Sequence, residues 1–80
     1  MFEFFVGDIV YYTTPEHQLA KDIIKSITSQ KQKGRSKHMY LLSNGLSKQE
    51  TDLFLSLKRA KNYFEQYHID VVIPHDLDLG

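Results

Sequence analysis

Residues 28–38 read TSQKQKGRSKH, with Lys31, Lys33, Arg35 and Lys37 on every second position and no acidic side chain among them. Side chains two apart on an extended chain point the same way, so such a run presents its charges to one side. Four aligned cations can hold phosphates, and Tyr40, with Tyr11 or Tyr12 on a neighbouring strand, can supply faces on which bases stack. Lys58 and Arg59 extend the candidate set for nucleic acid or another acidic partner to Lys31, Lys33, Arg35, Lys37, Tyr40, Lys58 and Arg59. The competing reading makes the run the solvated tip of a hairpin, and four cations release few counterions, which implies weak and salt-sensitive binding.

A second constellation is HIDVVIPHDLD, where His68 and Asp70 would share one face of a strand and His75 and Asp76 follow Pro74. Imidazole with carboxylate suits zinc or another divalent ion, but three well-spaced ligands are wanted, and a charged C-terminal segment accounts for the pattern better. No metal is assigned. Gly7, Gly34, Gly45 and Gly80 are isolated, with no phosphate-cradling spacing, and neither a nucleophile elbow nor an H-E-x-x-H helix is present. With no cysteine, thiolate chemistry, disulfides and cysteine-ligated zinc are excluded. The chain reads as non-enzymatic and without a cofactor.

The elements that must position the basic run admit two threadings. Phe4 to Tyr12 is aromatic and β-branched, with Gly7-Asp8 breaking the run before IVYY, and predicts a strand. HMYLL predicts another, ended by Ser43-Asn44-Gly45, in which Asn-Gly supplies the positive φ of a tight turn. Between them, in the first threading, DIIKSIT is a strand with Ile23 and Ile27 on one face, SQKQKGRSK is a hairpin loop, and a fourth strand ends in TDLFLS. Ser56 then caps a helix over about residues 57–67 whose Leu57, Ala60, Phe64 and Tyr67 close the end of a small barrel. In the second, Thr14 caps and Pro15 opens a helix over 15–29, and the capping-box spacing Ser47 to Glu50 opens another over 47–67. The result is an α/β layer of three strands and two helices, with IDVVIP as the last strand.

Phe5-Val6-Gly7-Asp8-Ile9-Val10, Tyr40-Leu41-Leu42 followed by Asn44-Gly45, and Asp52-Leu53-Phe54-Leu55-Ser56 leading to Ala60 resemble the small SH3-like barrel proteins that many phages and prophages encode. The likeness spans roughly residues 4–64. It implies an α+β, mainly β fold: a barrel of four to five antiparallel strands over 4–56, a helix at 57–67 and an acidic C-terminal tail at 69–80, all in one domain. This sequence departs from the pattern where acidic residues usually open the helix, placing Lys58 and Arg59 there, against the helix dipole. AKNYFEQYHIDVVIPHDLD is similar, over a shorter stretch, to the helix-to-strand step of nucleoside deoxyribosyltransferase-like proteins, which implies a small nucleotide-binding α/β domain on the second threading.

Eighty residues sustain one small core, and ten basic against ten acidic side chains leave no net charge. The neutral total hides a gradient. Lys21 to Lys37 carries six cations against Asp22 alone, while Glu65 to Gly80 carries Glu65, Asp70, Asp76 and Asp78 with no cation. A gradient of this kind orients encounter with a charged partner. The opening MFEFFVGD is too short and too acidic for a signal peptide, and no apolar run is long enough to span a membrane, so a cytoplasmic protein is expected. The primary expectation is a small binding module, a phage or mobile-element accessory protein that docks on a host or phage protein; inhibition by occupying a pocket is left open. Weak binding of nucleic acid through residues 31–37 is the alternative. Oligomeric state is left open.

Overall fold

The computed structural model describes residues 4–78. Four antiparallel strands form one curled sheet in chain order: β1 (Ile9–Thr13), β2 (Leu19–Gln32), β3 (Arg35–Leu42) and β4 (Ser47–Gln49). A 3-10 helical turn at Glu50–Asp52 follows. Phe54 then bridges back to Tyr11 of β1, with reciprocal backbone hydrogen bonds of 2.8 and 2.9 Å. The helix α1 (Leu57–Gln66) comes next, and a helical turn α2 (His75–Asp78) ends the described chain.

The two-helix α/β threading is overturned: residues 19–29 are strand, and 47–56 contains no α-helix. Thr14 and Pro15 build a turn instead of a helix start. The Thr14 carbonyl accepts from the His17 N–H at 3.0 Å, the Thr14 N–H donates to the Gln18 carbonyl at 2.8 Å, and His17 takes φ +61°. Pro15 suits the second position of such a turn as well as it suits a first helical turn, so the local signal was ambiguous. Ser47 and Glu50 do not form a capping box. Ser47 pairs with Leu41, and the Glu50 carboxylate accepts a 2.6 Å hydrogen bond from the Tyr40 hydroxyl.

The long β2 serves two partners because it is bulged. Its first part pairs with β1 (Ile23 opposite Ile9, Leu19 opposite Thr13) and its second with β3, the register slipping between Ile24 and Ser26. One extra residue there bends the strand and changes which side chains face inward. The inward residues are Ile24, which is 1% exposed, and Ile27, packed against the same core, while Ile23 is 47% exposed. The pairing of Ile23 with Ile27 on one face is therefore corrected. The predicted fourth strand over TDLFLS is corrected too: strand pairing with β3 is confined to 47–49, Leu53 is buried and Leu55 is exposed.

Two apolar clusters lie on opposite sides of β1. Val10 and Tyr12 face the concave side with Phe4, Ile24, Tyr40, Leu42 and Leu53. Tyr11 and Phe54 face outward, where α1 lays Ala60 and Phe64 on them together with Leu19 and Leu77. The helix begins where Ser56 caps it, its Oγ accepting from the Arg59 N–H at 3.1 Å. Lys58 and Arg59 therefore do lie in a first turn, which opposes the dipole by a few tenths to about 1 kcal/mol each.

The helix ends in a Schellman motif. The Ile69 N–H reaches the Phe64 carbonyl at 2.9 Å, the His68 N–H reaches Glu65 at 3.3 Å, and His68 takes φ +54° where glycine is usual. His68 and Asp70 thus sit at a helix exit, not side by side on a strand. The segment read as an acidic tail docks on the fold: Val72 bridges in parallel to Gln18, with hydrogen bonds of 2.8 Å to His17 and from Leu19, and Leu77 is buried. Leu79 and Gly80 of that segment, and Met1–Glu3, lie outside the described residues.

Candidate functional site

Ile27 and Tyr40 form the last cross-strand pair that reaches the core. Beyond Met39, β3 has lost β4 as a neighbour, and β2 and β3 run on as a two-stranded arm in which every residue from Thr28 to Lys31 and from Lys33 to Lys37 is exposed. At about 3.4 Å per residue the arm reaches roughly 17 Å past the core pair. The molecule is correspondingly elongated, 39 × 25 × 21 Å, and its radius of gyration of 13.2 Å exceeds the roughly 12 Å of a compact chain this long.

The arm closes on a two-residue turn. Gln32 pairs with Arg35, and the intervening Lys33 and Gly34 take φ +50° and +78°, the left-handed pair of a type I′ turn, whose twist matches that of the flanking strands. Asn, Asp and Gly are the usual residues there. A lysine with positive φ costs about 1–2 kcal/mol relative to an ordinary conformation, and it places its ammonium at the very end of the arm.

The tight turn corrects the geometry expected of the basic run. Lys31, Lys33, Arg35 and Lys37 are not on one strand edge facing one side. Across this turn an odd-numbered residue of β2 always stands opposite an even-numbered one of β3: Lys31 faces Ser36, and Gln30 faces Lys37. Paired residues share a face, so Lys31 lies on the face that continues from Tyr40, Arg35 and Lys37 lie on the other, and Lys33 caps the tip. Lys33, Arg35, Ser36 and Lys37 together line an open concavity of about 580 Å³.

The expected stacking tyrosines are not available. Tyr40 has no exposed surface. Its ring meets Phe4 edge-on at 5.3 Å, and its hydroxyl binds Glu50, which His38 Nδ1 also approaches at 3.1 Å. Tyr12 is buried, takes a 2.7 Å hydrogen bond from Asn44 Nδ2 and is covered by the Lys48 ammonium 5.4 Å from its ring centre. Tyr11 packs under α1. These three rings are spent on packing within the fold.

Lys58 and Arg59 are not gathered with the arm: Arg59 lines a separate recess of about 300 Å³ with Phe4, Leu53, Phe54 and Leu55. Among the described residues no group of three or more His, Cys, Asp or Glu side chains stands ready for a metal ion. No helix of the described residues is long and apolar enough to cross a membrane.

Two features escaped sequence reasoning. One is an exposed aromatic step on α1: Tyr67, expected in the stripe that closes the barrel, is instead 57% exposed, its ring centre 4.7 Å from that of Tyr63, which is 41% exposed and continues onto Phe54 at 5.3 Å. The four-residue spacing of these tyrosines was the available signal. The other is a carboxylate latch at the β3–β4 turn. Asp22 accepts from the Ser43 hydroxyl, from the Asn44 N–H at 2.9 Å and from the Ile23 N–H at 2.7 Å. The Ser43 hydrogen bond, the largest cause, holds the Asp22 carboxyl below its ordinary value of 3.8; burial opposes it, and the Ile23 and Asn44 N–H groups add to the lowering. Set against known protein families, characterised proteins and solved structures, the chain matches none.

Proposed function

We propose that the protein is a non-enzymatic binding module, a small SH3-like barrel of the phage and mobile-element kind, whose basic β2–β3 arm engages the phosphates of a nucleic acid. The observation that carries this reading is the arm itself. Lys31, Lys33, Arg35 and Lys37 stand on a projection that contributes nothing to the core, with no acidic residue between Thr28 and His38.

The barrel part of the proposal draws support from the isolated bridge by which Phe54, beyond the 3-10 turn that follows β4, returns to Tyr11 of β1. Electrophoretic mobility shift at low and moderate salt tests the function. A shift that weakens with salt, and that disappears when all four arm cations are replaced by glutamine, is the expected result. An absent shift at low salt would refute it.

A second reading is docking on a host or phage protein. The stacked, exposed Tyr63 and Tyr67 favour it, since solvent-facing aromatic pairs are the side chains most enriched at protein interfaces. Cross-linking through a photoreactive residue at position 67 is its direct check.

A further inference from the structure

Resting on the nucleic-acid reading of the arm, we infer that the partner is duplex DNA in its B form and that the arm enters the major groove as a two-stranded ribbon. The faces of the arm decide between the forms a nucleic acid can take. A single strand lying across a protein is held by charges on one side and by aromatic platforms for its bases. This arm has neither. Its cations are split between two faces, Lys31 on one and Arg35 with Lys37 on the other, and the residues from Thr28 to Lys37 include no aromatic side chain.

Cations on both faces and at the tip are what a ribbon needs when phosphates rise on both sides of it, which is the situation inside a groove. The dimensions agree. With its faces turned to the two walls, the ribbon crosses the groove by its thickness, about 10 Å including side chains, which fits a major groove about 12 Å wide. The arm's reach of roughly 17 Å exceeds the groove's depth of about 8.5 Å, so the sheet and α1 need not approach the DNA. The major groove of A-form RNA is too narrow and deep to admit the ribbon, which separates the two duplexes.

Fluorescence anisotropy with one labelled sequence in three forms, duplex DNA, single-stranded DNA and duplex RNA, tests the inference. It is run on the full chain and on two variants, Lys31→Gln and the pair Arg35→Gln with Lys37→Gln. At about 0.1 M salt each phosphate contact contributes close to tenfold in affinity. Duplex DNA is expected to bind at least tenfold more tightly than the other two, Lys31→Gln to weaken it about tenfold, and the Arg35/Lys37 pair about a hundredfold. Single-stranded DNA or duplex RNA binding as tightly as duplex DNA overturns the groove inference and leaves the arm as a general phosphate binder. A variant of one face that binds duplex DNA like the parent overturns it as well. Absence of binding to all three forms removes the nucleic-acid reading together with the inference. Unchanged thermal unfolding of both variants, expected because these side chains touch no core residue, assigns any loss to the interface.

Discussion

Replacing Tyr40 by phenylalanine separates a structural tyrosine from a base-stacking one. The substitution keeps the ring, so the edge-on contact with Phe4 at 5.3 Å and the burial of an unexposed side chain are retained. It removes the hydroxyl that donates to Glu50 Oε1 at 2.6 Å. A hydrogen bond to a charged group contributes about 1.5–3 kcal/mol. The lower end applies, because the Glu50 side chain keeps 31% of its surface exposed and water can take the vacated position. A loss of about 1.5 kcal/mol in a domain of this size lowers the melting temperature by roughly 6–12 °C. Thermal unfolding by circular dichroism gives that number, and anisotropy on the same samples gives the affinity for duplex DNA. The account requires a lowered melting temperature with affinity unchanged well below it. A melting temperature equal to the parent's with weakened DNA binding would refute the reasoning and return Tyr40 to the binding surface.

Other expectations follow from single contacts. Leu42→Ala empties a side chain with no exposed surface and should cost about 2–5 kcal/mol, visible as a large drop in the urea midpoint. His68→Gly should stabilise the protein. Relief of a left-handed residue gains about 1–2 kcal/mol against roughly 0.5–1 for glycine's chain entropy, and the melting temperature rises by a few degrees. Asp22 has a lowered folded pKa, so its stabilising contribution is present above the unfolded value near 3.8 and is lost as pH falls through the folded value. Ser43→Ala removes the largest cause of that lowering, and the melting temperature should then fall less between neutral pH and about pH 3 than it does in the parent.

Much of the fold was legible in short signals that admit one interpretation. The aromatic and β-branched residues of IVYY, Gly45 at the end of β3 with φ +92°, and Ser56 as a helix cap each formed what their chemistry implies. Asn44 contributes to that turn through its side chain, accepting from the Leu46 N–H at 3.0 Å.

What was not legible depends on distant parts of the chain. Residues 15–29 carry apolar positions four apart that fit a helix, and only pairing with β1 and β3 makes 19–29 strand. The bulge between Ile24 and Ser26 exchanged Ile23 for Ile24 in the core, a change of face that no local pattern announces. The candidate site was legible as a set of cations and misread as a surface. A two-residue turn at Lys33-Gly34 places alternate residues on opposite faces of the arm, and burial withdrew the three tyrosines meant to stack on bases. The β-branched run IDVVIP signalled an extended segment, but nothing local showed that Val72 would lie beside Gln18.

The central claim is that the four cations of the β2–β3 arm contact phosphates, and the salt dependence of binding measures that count. With duplex DNA, the logarithm of the affinity plotted against the logarithm of salt concentration should have a slope of about −3.6 for four contacts. In the variant with Arg35 and Lys37 replaced by glutamine the slope should fall to about −1.8. A parent slope retained in that variant would contradict the claim and place the phosphate contacts elsewhere on the molecule.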